Sequence, residues 1–123
     1  IAQVACEGQF IHVLPQGFSL RRPISICEIN KEQGTLRIVF DAKGDGTKAL
    51  ADIPQGGAID VVGPLGHGFT LSEKENKVVI VGGGIGVPPL LQAGADRHRK
   101  RHDGESREVR TRCGRQEARY PFL

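Results

Sequence analysis

Between Asn76 and Leu91 the chain carries eight large aliphatic residues in sixteen positions; between Gln92 and Arg119 it carries one, Val109. A helix that covers a parallel sheet shows an apolar stripe every three to four residues, and the second segment has none. Any α/β unit that begins at Asn76 therefore loses its covering helix after about one turn. The charge changes at the same place. Residues 1–91 hold three Arg, five Lys and nine acids, whereas residues 92–123 hold eight Arg, one Lys and five acids. The net charge of +3 thus resides in the tail, and the body is at −1. Two readings of residues 93–123 fit this break. One is a disordered basic tail. The other is a coding frame that slips near residues 92–94, because out-of-frame GC-rich DNA reads as Arg-rich text without hydrophobic periodicity.

A length of 123 residues and the composition exclude several classes. The length suffices for one domain with a core. The absence of Met points to a processed chain or a fragment. No apolar run approaches the roughly 18 residues of a membrane span, and no signal segment opens the chain. Cys6, Cys27 and Cys113 are odd in number and far apart, which argues against a disulfide framework or a zinc site and fits a reducing cytoplasm. A body at −1 has no electrostatic footprint for nucleic acid.

Up to Gly66 the chain reads as short strands and tight turns. Gln9–Leu14 alternates and is β-rich, and Pro15–Phe18 is a turn. Pro23–Ile29 puts Ile24, Ile26 and Glu28 on one face and Ser25, Cys27 and Ile29 on the other; Asn30–Gly34 turns, and Thr35–Ala42 is the next strand. Lys43–Ile53 is a glycine turn and a short helix with Thr47 as its cap, and Pro54–Gly66 holds another strand between turns. Regular short strands of this kind predict a small barrel or sandwich. The run Lys77–Val81 is continuously apolar, as in a parallel strand covered on both faces. Two prolines at Pro88 and Pro89 suit a first helical turn.

Three segments offer chemistry. In Val78–Gly86 glycines follow the strand, so backbone can approach a phosphate at a helix start, although an ordinary tight turn reads the same way. In Leu20–Asn30, Arg22 supplies a two-pronged phosphate donor and Ser25 a hydroxyl; strand alternation separates them, so a bend near Pro23 is required to bring both to one ligand. A solvated edge strand is the alternative. In Lys43–Leu50, Gly44 and Gly46 free the backbone beside Thr47, which fits a phosphate loop or a plain capped turn. His67 reads as a surface loop residue and His12 as a packed or edge residue. No nucleophile–base pattern, carboxylate pair or metal-ligand cluster stands out.

In order and spacing, Glu7–Phe10, Arg21–Ile29, Gly44–Thr47, Val61–Phe69 and Val78–Leu91 resemble the electron-transfer subunits of dihydroorotate dehydrogenase B, within the ferredoxin–NADP reductase superfamily. The resemblance covers roughly residues 5–92. It implies a flavin-binding barrel, then an α/β pyridine-nucleotide domain, then a cysteine segment holding a [2Fe–2S] cluster. It also implies electron passage between NADH, FAD and the cluster to a catalytic partner subunit that oxidises dihydroorotate in pyrimidine biosynthesis. By motif, Arg22, Pro23, Ile24 and Ser25 would hold the FAD phosphate and flavin edge, and Val39, Phe40 and Asp41 would line the flavin. Gly46 and Thr47 would bind the pyrophosphate, and Gly82, Gly83, Gly84 and Gly86 would meet NAD(H). No side chain is required as a catalytic acid or base.

The sequence departs from the family at Glu7, where a proline usually precedes G-Q-F, in the barrel strands expected before Gln9, and in the cluster cysteines, which are absent. The resulting expectation is β-barrel plus α/β. Residues 1–75 form a partial flavin-binding Greek-key barrel, 76–92 the first strand, turn and helix of a nucleotide domain, and 93–123 an aberrant or disordered Arg-rich tail. Such a product is expected to be unstable or to aggregate and to bind no cluster. The alternatives are a subunit of a related reductase-type oxidoreductase, a non-functional fragment, and a small binding module with a basic arm.

Overall fold

The computed structural model describes residues 1–70, 79–99, 110–113 and 116–119. Four strands, β1 (Phe10–Leu14), β2 (Arg22–Asn30), β3 (Thr35–Ile38) and β4 (Asp60–Leu65), form one antiparallel sheet in the order β3-β2-β1-β4. Three hairpin-linked strands with the fourth returned beside the first make a Greek key. The helix α1 (Asp45–Ala51) fills the connection between β3 and β4. A 3-10 turn at Gly84–Gly86 leads into α2 (Pro88–Arg99), and a separate hairpin pairs β5 (Arg110–Cys113) with β6 (Gln116–Arg119).

Alternation predicts β1 and β2 well, but not which residues of β2 point inward. The register of β2 against β3 shifts between Ile26 and Glu28. One extra residue at such a bulge reverses the in–out phase of everything beyond it. Ile24, Ile26 and then Ile29 are therefore buried, and Glu28 is exposed, so the expected division of β2 into two fixed faces is corrected by the bulge. Ala5, Ile11, Val13, Ile24, Ile26, Ile29 and Leu50 form the core, with Leu36, Ile38, Phe40, Ile53 and Val61 packed against it. Leu50 brings α1 into that core, so the helix is anchored by one apolar side chain, while Gly46 is the buried position of its first turn.

Three further expectations change. The strand expected over Thr35–Ala42 ends at Ile38, because its last rung to β2 is Ile26↔Ile38, at the bulge. The parallel strand expected over Lys77–Val81 is not formed at Val79–Val81, and Val79 and Val81 are 86% and 84% exposed. An apolar run becomes a parallel strand only when flanking strands supply its hydrogen bonds, and the described residues contain none beside it. Lys77 and Val78 lie outside the described residues. The helix expected to end after one turn runs to Arg99, since neither Pro nor a C-terminal glycine stop falls between Leu90 and Arg99. Of the tail expected over 93–123 to be aberrant or disordered, residues 100–109, 114–115 and 120–123 lie outside the described residues; Arg110–Cys113 pairs with Gln116–Arg119. No helix among the described residues is long and apolar enough to cross a membrane.

Ile26, 2% exposed, sits at the centre of the core. Ile26→Ala is expected to cost about 2–5 kcal/mol by urea unfolding, whereas Val62→Ala on the exposed side of β4 should stay within about 0.5 kcal/mol. Buried Cys27 adds a pH signature. Burial, and secondarily the neighbouring Glu28 carboxylate, raises its thiol above the ordinary value of 9.0. A raised folded value means that the neutral thiol is favoured in the native state. Its contribution is thus full below pH 9.0 and is lost as pH climbs through the raised value. Wild-type stability should fall above about pH 9 more steeply than that of Cys27→Ala, as read by unfolding midpoints across pH.

Candidate functional site

Arg22 opens β2, opposite Val13 of β1. This places it at the end of the sheet beside the first turn of α1. Gly46, buried in that turn, is where the two meet. A Cβ at Gly46 would lie 2.8 Å from Nε, 3.0 Å from Nη2 and 3.2 Å from Cζ of Arg22. Glycine is needed here because the guanidinium occupies the space a side chain would take. On its other side Cζ of Arg22 stands 5.9 Å from the centroid of the Phe18 ring, within cation–π range. The guanidinium is held between an aromatic face and a helix start.

The neighbouring Arg21 is differently engaged. Its Nη2 donates to both carboxylate oxygens of Asp60 at 3.0 Å, and Nη1 reaches the carbonyl of His12 at 3.5 Å. Arg22 makes no ion pair among the described residues. Of the two adjacent arginines, one ties β2 to β4 and the other keeps its charge available.

Gly44 is the N-cap of α1, and Thr47 is its third helical residue rather than the cap expected from the sequence. The Thr47 hydroxyl accepts from the Gly44 N–H at 3.1 Å and donates to the Gly44 carbonyl at 2.9 Å. Its proton is thereby used in the turn. The first backbone N–H groups of α1 have no acceptor within the helix, and they lie beside Arg22 through Gly46. Two kinds of anion donor, a guanidinium and helix-start amides, meet at this point.

Ser25 is not brought to the same point. Pairing runs unbroken from Val13↔Arg22 to Phe10↔Ser25, with no bend at Pro23. Arg22 and Ser25 remain on opposite faces, about 10 Å apart along the strand. Pro23 and Ser25 are exposed, and Ile24 is in the core. Val39 is exposed, Phe40 packs on the core, and the Asp41 carboxylate pairs with Lys43 at 3.0 Å. Gly82, Gly83, Gly84 and Gly86 form an exposed turn, with Gly84 at φ +53, ahead of α2. His67 is exposed on its loop, and His12 is half-buried in β1.

Sequence reasoning missed Phe18, whose signal was an aromatic residue four positions before Arg22 in a turn. It also missed Asp60 and Gln92, for which no local signal exists. A groove along the β2–β3 hairpin, lined by Glu28, Asn30, Gln33, Thr35, Leu36 and Arg37, lies at the opposite end of β2 from Arg22. Among the described residues no three His, Cys, Asp or Glu side chains gather as a metal site.

No protein-family model matches the chain. The electron transfer subunit of dihydroorotate dehydrogenase B (NAD(+)) from Bacillus cereus (strain B4264) is 47% identical over 97 residues, covering 75% of this chain and 38% of that protein. The corresponding subunit from Bacillus anthracis (strain CDC 684 / NRRL 3495) is 46% identical over the same span. Over this segment the chain is similar to the dihydroorotate dehydrogenase B electron-transfer subunits. It spans 38% of the length of those relatives. A solved structure of an NADH-dependent reduced ferredoxin–NADP oxidoreductase, described for flavin-based electron bifurcation, aligns with a TM-score of 0.67 and 34% identity, over 77% of this chain and 34% of that one. The open Greek-key sheet with α1 in its connection is thus similar in fold to part of that oxidoreductase and consistent with a partial reductase-type barrel.

Gly46→Ala separates site from scaffold. The new Cβ displaces the tip of a flexible side chain, so the fold tolerates it, and helix propensity improves by up to about 1 kcal/mol. Thermal unfolding should be unchanged or slightly raised, while affinity for ADP, a soluble diphosphate probe, should fall at least about tenfold as Arg22 is pushed aside. Equal ADP affinity in both proteins would remove Arg22–Gly46 from the site.

Proposed function

We propose that this chain is the flavin-holding portion of a cytoplasmic electron-transfer subunit that moves electrons between NADH and FAD toward a dihydroorotate dehydrogenase catalytic subunit. The observation that carries this reading is the Arg22 guanidinium seated on Gly46 at the start of α1. Phosphate groups are bound by bidentate guanidinium donors and by helix-start amides, and both are present at one place.

The residues fit an extended dinucleotide better than a compact anion. Arg22, Gly46 and the first amides of α1 would take the diphosphate of FAD. Pro23, next to Arg22, and Ser25, about 10 Å from Arg22 along β2, both on its exposed side, would lie along the flavin edge with Val39 and Asp41. Ile24 would support the site from the core, and Phe40 would hold the segment after β3 in place from behind. FAD, when bound, supplies the two-electron and one-electron chemistry. The chain's own work is to fix it: Arg22 neutralises phosphate charge, and Phe18 orients Arg22. Thr47 acts through its hydrogen bonds to Gly44, which shape the turn. The exposed glycines at 82, 83, 84 and 86, ahead of α2, would face NAD(H). A [2Fe–2S] cluster is not supplied by the described residues, where Cys6 is exposed and Cys27 buried, and no step is assigned to it.

The structural neighbour, a ferredoxin–NADP oxidoreductase, favours a second reading with the same flavin site: a subunit of a sibling oxidoreductase with another acceptor. The exposure of Val79 and Val81 favours a third, a fragment that holds flavin but does not turn over.

Titration of the purified chain with FAD, followed by flavin fluorescence and visible absorbance, tests the reading. Wild type should bind with shifted flavin bands. Arg22→Ala should lose about 1.5–3 kcal/mol, a drop of roughly 10- to 150-fold, and Arg22→Lys should recover part of it. Arg21→Ala should leave affinity near wild type. Absence of flavin binding, joined to salt-sensitive DNA binding, would favour a basic-tailed binding module instead.

A further inference from the structure

The strand–turn–helix segment from Val79 onward is joined to the barrel in one polar place among the described residues. The Gln92 side chain on α2 accepts from the Ile29 N–H through Oε1 at 2.6 Å and donates from Nε2 to the Ile29 carbonyl at 3.2 Å. No other hydrogen bond or ion pair links residues 79–99 with residues 1–70 among those described.

The reason lies in β2. Pairing with β1 runs out at Ile26, whose N–H still reaches the Gln9 carbonyl at 3.0 Å. Beyond the bulge, Ile29 is paired laterally with Leu36 of β3. Its N–H and C=O are both taken by Gln92, on an edge that β1 no longer covers. A primary amide offers an acceptor and a donor side by side, as the C=O and N–H of one residue on a neighbouring strand do, so Gln92 stands where such a strand would supply one rung. Ala93 beside it is buried. The helix in turn carries the glycine turn. A Cβ at Gly82 would lie 3.0 Å from Cδ1 of Leu90, and one at Gly94 would lie 3.0 Å from Cδ1 of Ile80. Turn, extended segment and helix are therefore packed on one another.

We infer that Gln92 is the positioning residue that sets the placement of the Gly82–Gly86 turn relative to the flavin barrel, by acting as a one-rung surrogate strand on Ile29. This rests on the reading of that turn as nucleotide-facing and of Arg22–Gly46 as the flavin phosphate site. Gln92 touches neither ligand.

Amide hydrogen exchange on the full chain, with FAD titration in parallel, tests the inference. In Gln92→Ala, exchange at Ile29 and along α2 should accelerate at least about tenfold, while β1–β2 amides and FAD affinity stay at wild-type values. Gln92→Glu adds a readout that packing alone would not move. Its carboxylate still accepts from the Ile29 N–H but repels the Ile29 carbonyl to which it can no longer donate, so protection along α2 should be lost at neutral pH. It should return as pH falls through the carboxyl range near 4, after correction for intrinsic exchange. Unchanged Ile29 and α2 protection in Gln92→Ala, or a pH-independent Gln92→Glu, would overturn the inference. So would a loss of FAD affinity in Gln92→Ala, because it would mean that the barrel site depends on α2. Failure of wild type to bind FAD would sink the functional reading while leaving the exchange results to decide the rung.

Discussion

The bulge between Ile26 and Glu28 is the constraint from which the rest of the molecule follows. It lets β2 serve two neighbours. Before it, β2 pairs with β1 and presents Arg22 to the start of α1; beyond it, the phase of the strand reverses, Ile29 enters the core, and β3 takes over the pairing. Without the extra residue, Glu28 would face the core and Ile29 the solvent. A buried, unpaired carboxylate is costly enough to rule out that register. The bulge also frees the edge of Ile29 on which α2 docks through Gln92. Phosphate-type donors and the glycine turn are thus both referred to one strand, at its two ends.

The electrostatics follow the same economy. Two arginines stand side by side at the start of β2, and strand geometry sends them in opposite directions. Arg21 meets Asp60 and closes the β2–β1–β4 layer. That pair is partly exposed, and its contribution to stability is about 1 kcal/mol or less. Arg22 instead lies between Phe18 and Gly46, with its charge unspent among the described residues. A cation placed beside helix-start amides raises the local potential without a counter-charge, and an anionic ligand is what relieves it.

Much of this was legible in the residues. The alternation of Gln9–Leu14 and Pro23–Ile29, the Asn30–Gly34 turn and the short helix after Gly44 all appear where local patterns put them, because each is set by neighbours a few positions away. The bulge was not legible, since nothing in R-P-I-S-I-C-E-I-N marks which residue is the extra one. The apolar run at Val79–Val81 reads as a covered strand, yet a parallel strand is made by its neighbours; among the described residues none lies beside it, and those valines are exposed. Of the candidate site, Arg22 and Gly46 were named from motif and are in contact. The separation of Ser25 from Arg22, and the use of the Thr47 hydroxyl within its own turn, needed the three-dimensional arrangement. Asp60 and Gln92 act across the fold and leave no local trace.

The most direct measurement is a nuclear magnetic resonance titration of the isotopically labelled chain with ADP. The account predicts that the Arg22 Nε–H and the Gly46 and Thr47 backbone amides shift together along one binding curve, with Arg21 and the Gly82–Gly86 turn unmoved at low ligand. Shifts confined to the Arg110–Arg119 hairpin, or an Arg22 resonance that stays put while Gly46 moves, would contradict it.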